Sequence, residues 1–284
     1  MIPSLSTGAI GIRDLDLRAQ IALAGQTGWA GLVVDARQVA DLGVPATRQA
    51  LAAAGVQAAS WGLPFAWNRE ESVHTAGIRD LPLLAATMAE LGCTRVTTWM
   101  PPGSNERPYG ENLAWHVARF RPIAEILRAS GCALGIEYIG PKAFRTQFAH
   151  PFECDLDGYR RVREAIGVAG IGLLLDAWHL WHSGSMADIR RLTAEEIVVV
   201  HVNDAPAGMA PRDELVDTVR ALPGETGRIP LDDFVRELDR LGYAGPVTPE
   251  PFSARLNDLA GRDAAAASRE ALSATQAMLD RARR

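Results

Sequence analysis

Residues 171–179 read IGLLLDAWH. An unbroken apolar run ends in Asp176, and His179 follows three positions later. Such a run suits a strand buried on both faces, as in parallel sheets. A carboxylate closing it would be expensive to bury without a cation or hydrogen-bond donors beside it.

The same grammar recurs outward from this stretch. LGIEYIG carries Glu137, VVVHVND carries His201, and GPVTPEPF carries Glu250 between two prolines that restrict its backbone. Each residue stands at or near the C-terminal end of an apolar run, which is where ligands bind in parallel β/α proteins. Two Glu, one Asp and one His form a mixed oxygen and nitrogen set suited to a hard or borderline divalent ion. Taken singly, a strand-end carboxylate is commonly a solvated rim residue, and a buried histidine commonly a hydrogen-bonded core group. Four at equivalent ends of neighbouring strands converge on one pocket.

Apolar strand-like runs number eight: about 6–12, 31–36, 56–63, 95–100, 134–139, 171–176, 197–203 and 245–250. Helix-patterned stretches alternate with them. The first is LDLRAQIALAGQTG, with Asp14 as a candidate cap, and several close on glycine (Gly28, Gly92, Gly131, Gly167, Gly242). At 284 residues the chain fits an α/β fold with a single (β/α)8 TIM barrel spanning 1–284. A doubly wound open sheet would call for a glycine-rich fingerprint after an early strand, and none is present. Two βα loops are long, 140–155 and about 204–230, and long loops on that face tend to act as lids or substrate contacts. An amphipathic final helix, about 261–283, can close the barrel or meet a partner subunit.

A net charge of −5 gives no electrostatic footprint for nucleic acid. Cys93, Cys132 and Cys154 are scattered, which argues against a thiolate zinc site or a disulfide framework and for a reducing compartment. No charged lead followed by a long apolar stretch opens the chain, and no run reaches the roughly 20 apolar residues of a membrane helix. The expectation is a soluble, cytoplasmic protein.

Glu137 in GIEY, LDAWH, HVND with His201, and the segment PGETGRIPLDDFVRELDRLGYAGPVTPEPF (223–252) together resemble the xylose-isomerase-like barrel superfamily of sugar phosphate isomerases and epimerases. The resemblance implies one divalent ion, Mn²⁺ first and Mg²⁺, Co²⁺ or Zn²⁺ as alternatives, held by Glu137, Asp176, His201 and Glu250, with His179 touching the substrate. It also suggests a homo-oligomer. Shifting a proton next to a carbonyl passes through an enediolate, whose charge such an ion stabilises. Two carboxylates on opposite sides of the substrate, Glu137 and Glu250, can then take and return the proton.

The chain departs from the ketose 3-epimerases where they carry a second Glu: YIGPKAFRTQ offers Lys142 and Arg145 instead, either solvated loop charges or anchors for an anionic group. His150 in AHPFE is a candidate lid contact, and Arg212 in APRDELVD a candidate substrate anchor. Apurinic endonucleases of the superfamily use three zinc ions. Six histidines, with Trp61 and Trp99 at two of the strand ends concerned, do not readily fill such a site. Trp61, Trp67 and Trp99, with Trp178 and Trp181 flanking His179, suggest a wall for a sugar or cyclitol ring, or else filling of the barrel top. The expected function is metal-dependent isomerisation or epimerisation of a sugar, keto-sugar or cyclitol. A lyase or dehydratase acting on a keto-sugar glycoside or a dehydroshikimate-like ring, and a non-catalytic sugar-binding barrel, are the alternatives.

Overall fold

Eight parallel strands pair in chain order, and the eighth returns to the first, in a computed structural model that describes residues 1–208 and 210–282. They are β1 (Ile2–Leu5), β2 (Gly31–Val34), β3 (Gln57–Gly62), β4 (Arg95–Met100), β5 (Ala133–Tyr138), β6 (Ile171–Asp176), β7 (Ile197–Val202) and β8 (Pro246–Pro249). Every residue of β6 is buried, as its continuous apolar run requires when helices cover one face and the barrel core the other. The expected (β/α)8 barrel is therefore the fold.

Sheet register sets the functional rim. Asp176 pairs with His201, and His201 with Thr248. Glu137 pairs with Trp99. The Glu250 backbone N–H donates to the Val202 carbonyl at 2.9 Å, one step past β8. Parallel register thus sets Asp176 beside His201, with Glu137 and Glu250 at the C-terminal ends of the strands on either side.

Local details differ from expectation at the chain's ends. The first strand lies upstream of STGAIGI, at Ile2–Leu5, where it pairs with β2 and β8. STGAIGI instead forms a short 3₁₀ turn at Gly8–Ile10, stopped by Gly11 at φ 80°. Its buried Ile10 and Ile12 mimic a strand's apolar pattern while serving a loop. Asp16, not Asp14, caps the first helix (Leu17–Thr27) by accepting from Ala19 N–H; Asp14 itself sits at φ 62°. The C-terminal stretch divides into Ala254–Arg262 and Ala264–Ala282. Arg283, the last residue of the expected helix, lies outside the described residues. The second piece packs on the barrel, where Ser268 accepts a hydrogen bond from buried Trp29 Nε1 at 2.9 Å and meets Thr27 Oγ1 at 2.8 Å.

Both long loops are built rather than slack. The one after β5 carries a short helix, Lys142–Arg145, and then His150–Pro151, which pair antiparallel with Gly103–Ser104 beyond β4. Gly103 is required there, because a Cβ would collide with the Phe148 side chain. The loop after β7 is tied by buried Asp204, whose carboxylate accepts from the backbone N–H groups of Ala205, Thr226, Gly227 and Ile229. Among the described residues no helix is long and apolar enough to cross a membrane.

Candidate metal centre and active site

Glu137, Asp176, His201 and Glu250 each present one ligand atom, and these four atoms lie within 4.8 Å of one another. They rise from β5, β6, β7 and the residue after β8. His201 Nδ1 stands 4.0 Å from Glu137 Oε1 and 3.6 Å from Glu250 Oε2. Both His201 Nδ1 and Glu137 Oε1 are buried without a hydrogen-bond partner. Orphaned buried polar atoms are rare because their desolvation is uncompensated.

Asp176 is held more completely. Its Oδ1 accepts from Trp178 N–H at 2.8 Å and Asn203 Nδ2 at 2.9 Å, so it also caps the helix Ala177–Ser183. Its Oδ2 faces Arg220 Nη1 at 2.8 Å, and the same nitrogen is 3.0 Å from Glu250 Oε2. Arg220 Nη2 reaches Asp217 at 3.0 Å, and its guanidinium lies 5.2 Å from the Trp178 ring centroid and 4.8 Å from that of Phe252. Phe252 is a non-glycine residue at φ 37°, a strained conformation that follows the Pro-Glu-Pro turn and carries its ring over Arg220.

These contacts polarise the titrations. Burial and the neighbouring Asp176 and Glu250 carboxylates push the Glu137 carboxyl well above its usual range. Burial also acts to raise Asp176, yet Arg220 overcomes it and holds the group at about 2. Glu250 is likewise raised by burial but ends below its usual range, because His201 and Arg220 face it. Burial pulls His201 down, and Glu250 more than reverses this.

His179 is fully buried, with burial lowering its pKa. The Gly140 N–H donates to its Nδ1 at 3.2 Å, which leaves the proton of the neutral ring on Nε2, a nitrogen that Arg220 Nη2 approaches to 3.5 Å. That nitrogen is 3.8 Å from Glu137 Oε1 and 4.0 Å from Asp176 Oδ2. Gly140 is essential to this approach, since a Cβ would strike the His179 carbonyl oxygen.

A cavity of about 610 Å³ opens above, lined by Glu137, His179, Arg220 and Glu250 at its floor and by Trp99, Phe144, Val216 and Phe252 at its sides. Over residues 20–278 the sequence matches the family model of the xylose isomerase-like TIM barrel. The chain belongs to the xylose isomerase-like TIM barrel family.

Several proteins of known sequence or structure are similar to it. Inosose isomerase of Halalkalibacterium halodurans is 30% identical over 147 residues, 50% of this chain and 47% of that protein. The match therefore spans about half of that relative's length. A xylose isomerase domain protein from Alicyclobacillus acidocaldarius superposes over all of both chains with a TM-score of 0.86 and 28% identity. The IolI protein, whose crystal structure holds a zinc atom, superposes over 98% of both chains with a TM-score of 0.78 and 18% identity.

The remaining candidates divide sharply. Trp99 is 41% exposed and lines the cavity. Trp61 does not reach it. Its side chain is wholly buried and donates from Nε1 to the Cys93 carbonyl at 3.0 Å, at the opposite end of the neighbouring strand, so it is core. Trp67 is also buried, donating to the Trp99 carbonyl at 3.1 Å. Lys142 points to Asp213 at 3.0 Å, with both side chains half exposed, and does not line the cavity. Arg145 donates to Cys154 Sγ at 3.3 Å, and His150 sits in the short ribbon opposite Ser104. Arg212 donates to the Trp181 carbonyl at 2.9 Å and packs over the Trp181 ring at 5.7 Å. None of these four lines the cavity: Lys142 ties one long loop to the other through Asp213, Arg145 stays within its own loop at Cys154, His150 pairs with the segment beyond β4, and Arg212 anchors its loop to Trp181 after β6.

Four cavity residues carry no signal in the sequence. Arg220 and Asp217 belong to the loop after β7, where DTVRA shows no periodicity or motif to mark them. Phe144 and Phe252 are likewise ordinary apolar residues until the loops fold inward.

Proposed function

We propose that this chain is a divalent-metal-dependent isomerase or epimerase of a sugar, keto-sugar or cyclitol, moving a proton at the carbon beside a carbonyl. The observation that carries this reading is the convergence of Glu137, Asp176, His201 and Glu250 within 4.8 Å, with Glu137 Oε1 and His201 Nδ1 buried and unpartnered. A cation would satisfy both atoms at once. It would also balance a centre where Arg220 faces four carboxylates, Asp176, Glu250, Asp217 and Glu137. The donor set admits Mn²⁺, Mg²⁺, Co²⁺ or Zn²⁺, with Mn²⁺ the favoured resident, and the zinc atom of the IolI protein agrees with its N/O character. When bound, the ion supplies positive charge beside the substrate oxygens as negative charge develops there.

The chain's own groups do the rest. Glu137 and Glu250 stand on separate strands at the cavity floor, placed to take a proton from one position and return it at another. The His179 Nε2–H points at the same floor and donates to a substrate oxygen, held in that tautomer by Gly140. Arg220 keeps Asp176 ionised and fixes the side chain of Glu250. Phe144, Val216 and Phe252 limit water at the mouth and strengthen these interactions.

The test is proton exchange from D₂O into an inosose and into a ketohexose, with and without Mn²⁺ after EDTA treatment. Mn²⁺-dependent exchange is expected, with a loss of about 10²–10⁴-fold in Glu250→Gln while the fold survives. Protein that binds no divalent ion, or a Glu250→Gln variant of near-normal rate, overturns the reading. Release of water or an aglycone during exchange would identify a lyase instead.

A further inference from the structure

Beside the metal cavity lies a larger one, about 1080 Å³, and the two share Trp99 and Phe144 as walls. The smaller cavity alone is within the size range of ordinary ligand sites, roughly 300–1,000 Å³, and suffices for one sugar ring. The larger cavity opens over β3 and β4, on the side of the barrel that contributes no metal ligand. It is therefore extra to the chemistry and needs its own explanation.

Its construction is that of a recognition site. Asn112 is 2% exposed and lines the cavity. Its Oδ1 accepts from Arg107 Nε at 3.4 Å, while its Nδ2 is buried with no partner. A buried amide donor left unmade is costly and calls for an acceptor. Arg107 lies 4.2 Å over the Trp115 ring and Arg119 5.3 Å from it, both lining the same space. Their charges are answered locally, Arg107 by Glu106 and Arg119 by Glu71, each at 2.9 Å. Among the described residues Arg69, which also lines the space, has no ion-pair partner, while the carboxylates of Glu70 and Glu106 line it too, so the compartment is rich in donors and aromatic surface and carries both signs of charge. Donors and aromatic faces of that kind suit a ring bearing acceptor oxygens.

We propose that the larger cavity is a second subsite, and that the physiological substrate is a glycoside of a keto-sugar: a reacting ring that keeps its carbonyl, over Glu137 and Glu250, joined across Trp99 to a second ring, a sugar or a phenol. Trp99, 41% exposed between the two spaces, presents a stacking face that both rings can use. Phe144, from the loop after β5, borders both compartments, so that loop is shaped for a two-ring ligand. The inference deepens the isomerase reading and rests on it for the reacting ring only.

Calorimetric titration of the Mn²⁺-loaded protein with methyl β-D-glucopyranoside, 4-nitrophenyl β-D-glucopyranoside and cellobiose tests it. At least one two-ring probe is expected to bind about tenfold more tightly than the methyl glycoside. That ratio is expected to fall to near one in Asn112→Leu and in Arg107→Met. The aryl probe and cellobiose distinguish a phenolic from a sugar second ring. Equal affinity for all three probes, no binding of any, or a ratio that persists in both variants overturns the subsite. Arg107 is partly exposed and its variant tests the point if Asn112→Leu fails to fold. Failure of the isomerase reading shows separately, as absent deuterium exchange with the two-ring preference intact.

Discussion

Arg220 Nη1 lies 2.8 Å from Asp176 Oδ2, and both side chains are at most 1% exposed. This ion pair, completed by Glu250 at 3.0 Å, is the internal cation around which the candidate metal centre is arranged. Buried pairs of this kind add little net stability, yet removing one member strands the other.

Arg220→Met should therefore destabilise the metal-free protein by about 3–5 kcal/mol, with Asp176 stripped of its ion-pair partner and Glu250 left facing His201. Added Mn²⁺ should restore part of the loss by binding the folded state alone. Urea unfolding of the EDTA-treated variant, with and without Mn²⁺, measures both effects. Wild-type stability without metal would show that the pair is energetically idle.

Acid sensitivity should begin near neutrality, because two histidines are buried in neutral form. Burial lowers His116 to about 4 from 6.5, with Arg107 contributing, and lowers His182 to about 3 from the same value. Both folded values are depressed, so the unfolded chain takes up protons first as pH falls. The stability these groups contribute is full above about pH 6.5 and is lost as pH drops through it towards 4, on the order of 3 kcal/mol for His116. Stability measured at pH 7.5, 6 and 5 should fall less steeply in His116→Gln. Parallel curves for the two proteins would refute the assignment.

Two tryptophans at neighbouring strand ends should behave oppositely. Trp61→Ala empties a fully buried site and should cost about 3–5 kcal/mol with divalent-metal affinity retained. Trp99→Ala should cost less than about 1 kcal/mol, being partly exposed, and should raise KM for the sugar substrate. Urea midpoints, metal titration and steady-state kinetics separate the cases. A large KM change in a folded Trp61 variant would return it to the substrate wall.

Most of the barrel was legible because its signal is local. An apolar run such as IGLLL can only be a buried segment, and the strand–helix alternation repeats often enough to count. The first strand lies elsewhere because Ile10 and Ile12 are buried in a turn, with Gly8–Ile10 packed on the C-terminal helices, and burial from tertiary packing looks like a strand in one dimension. The tryptophans failed for a related reason. Position at a strand end does not say whether an indole turns inward to Cys93, as Trp61 does, or stays at the mouth, as Trp99 does.

What the sequence by itself determined is the barrel and its four-residue set, Glu137, Asp176, His201 and Glu250, because parallel register carries equivalent strand ends to one rim whatever the loops do. Tertiary structure decided the surroundings: Arg220 between Asp176 and Glu250, Gly140 setting the His179 tautomer, and Lys142 and Arg212 spent on loop contacts. It also decided that a second, donor-lined compartment stands beside the first. Those outcomes depend on where long side chains and irregular loops end in space, and no periodicity in the chain encodes that.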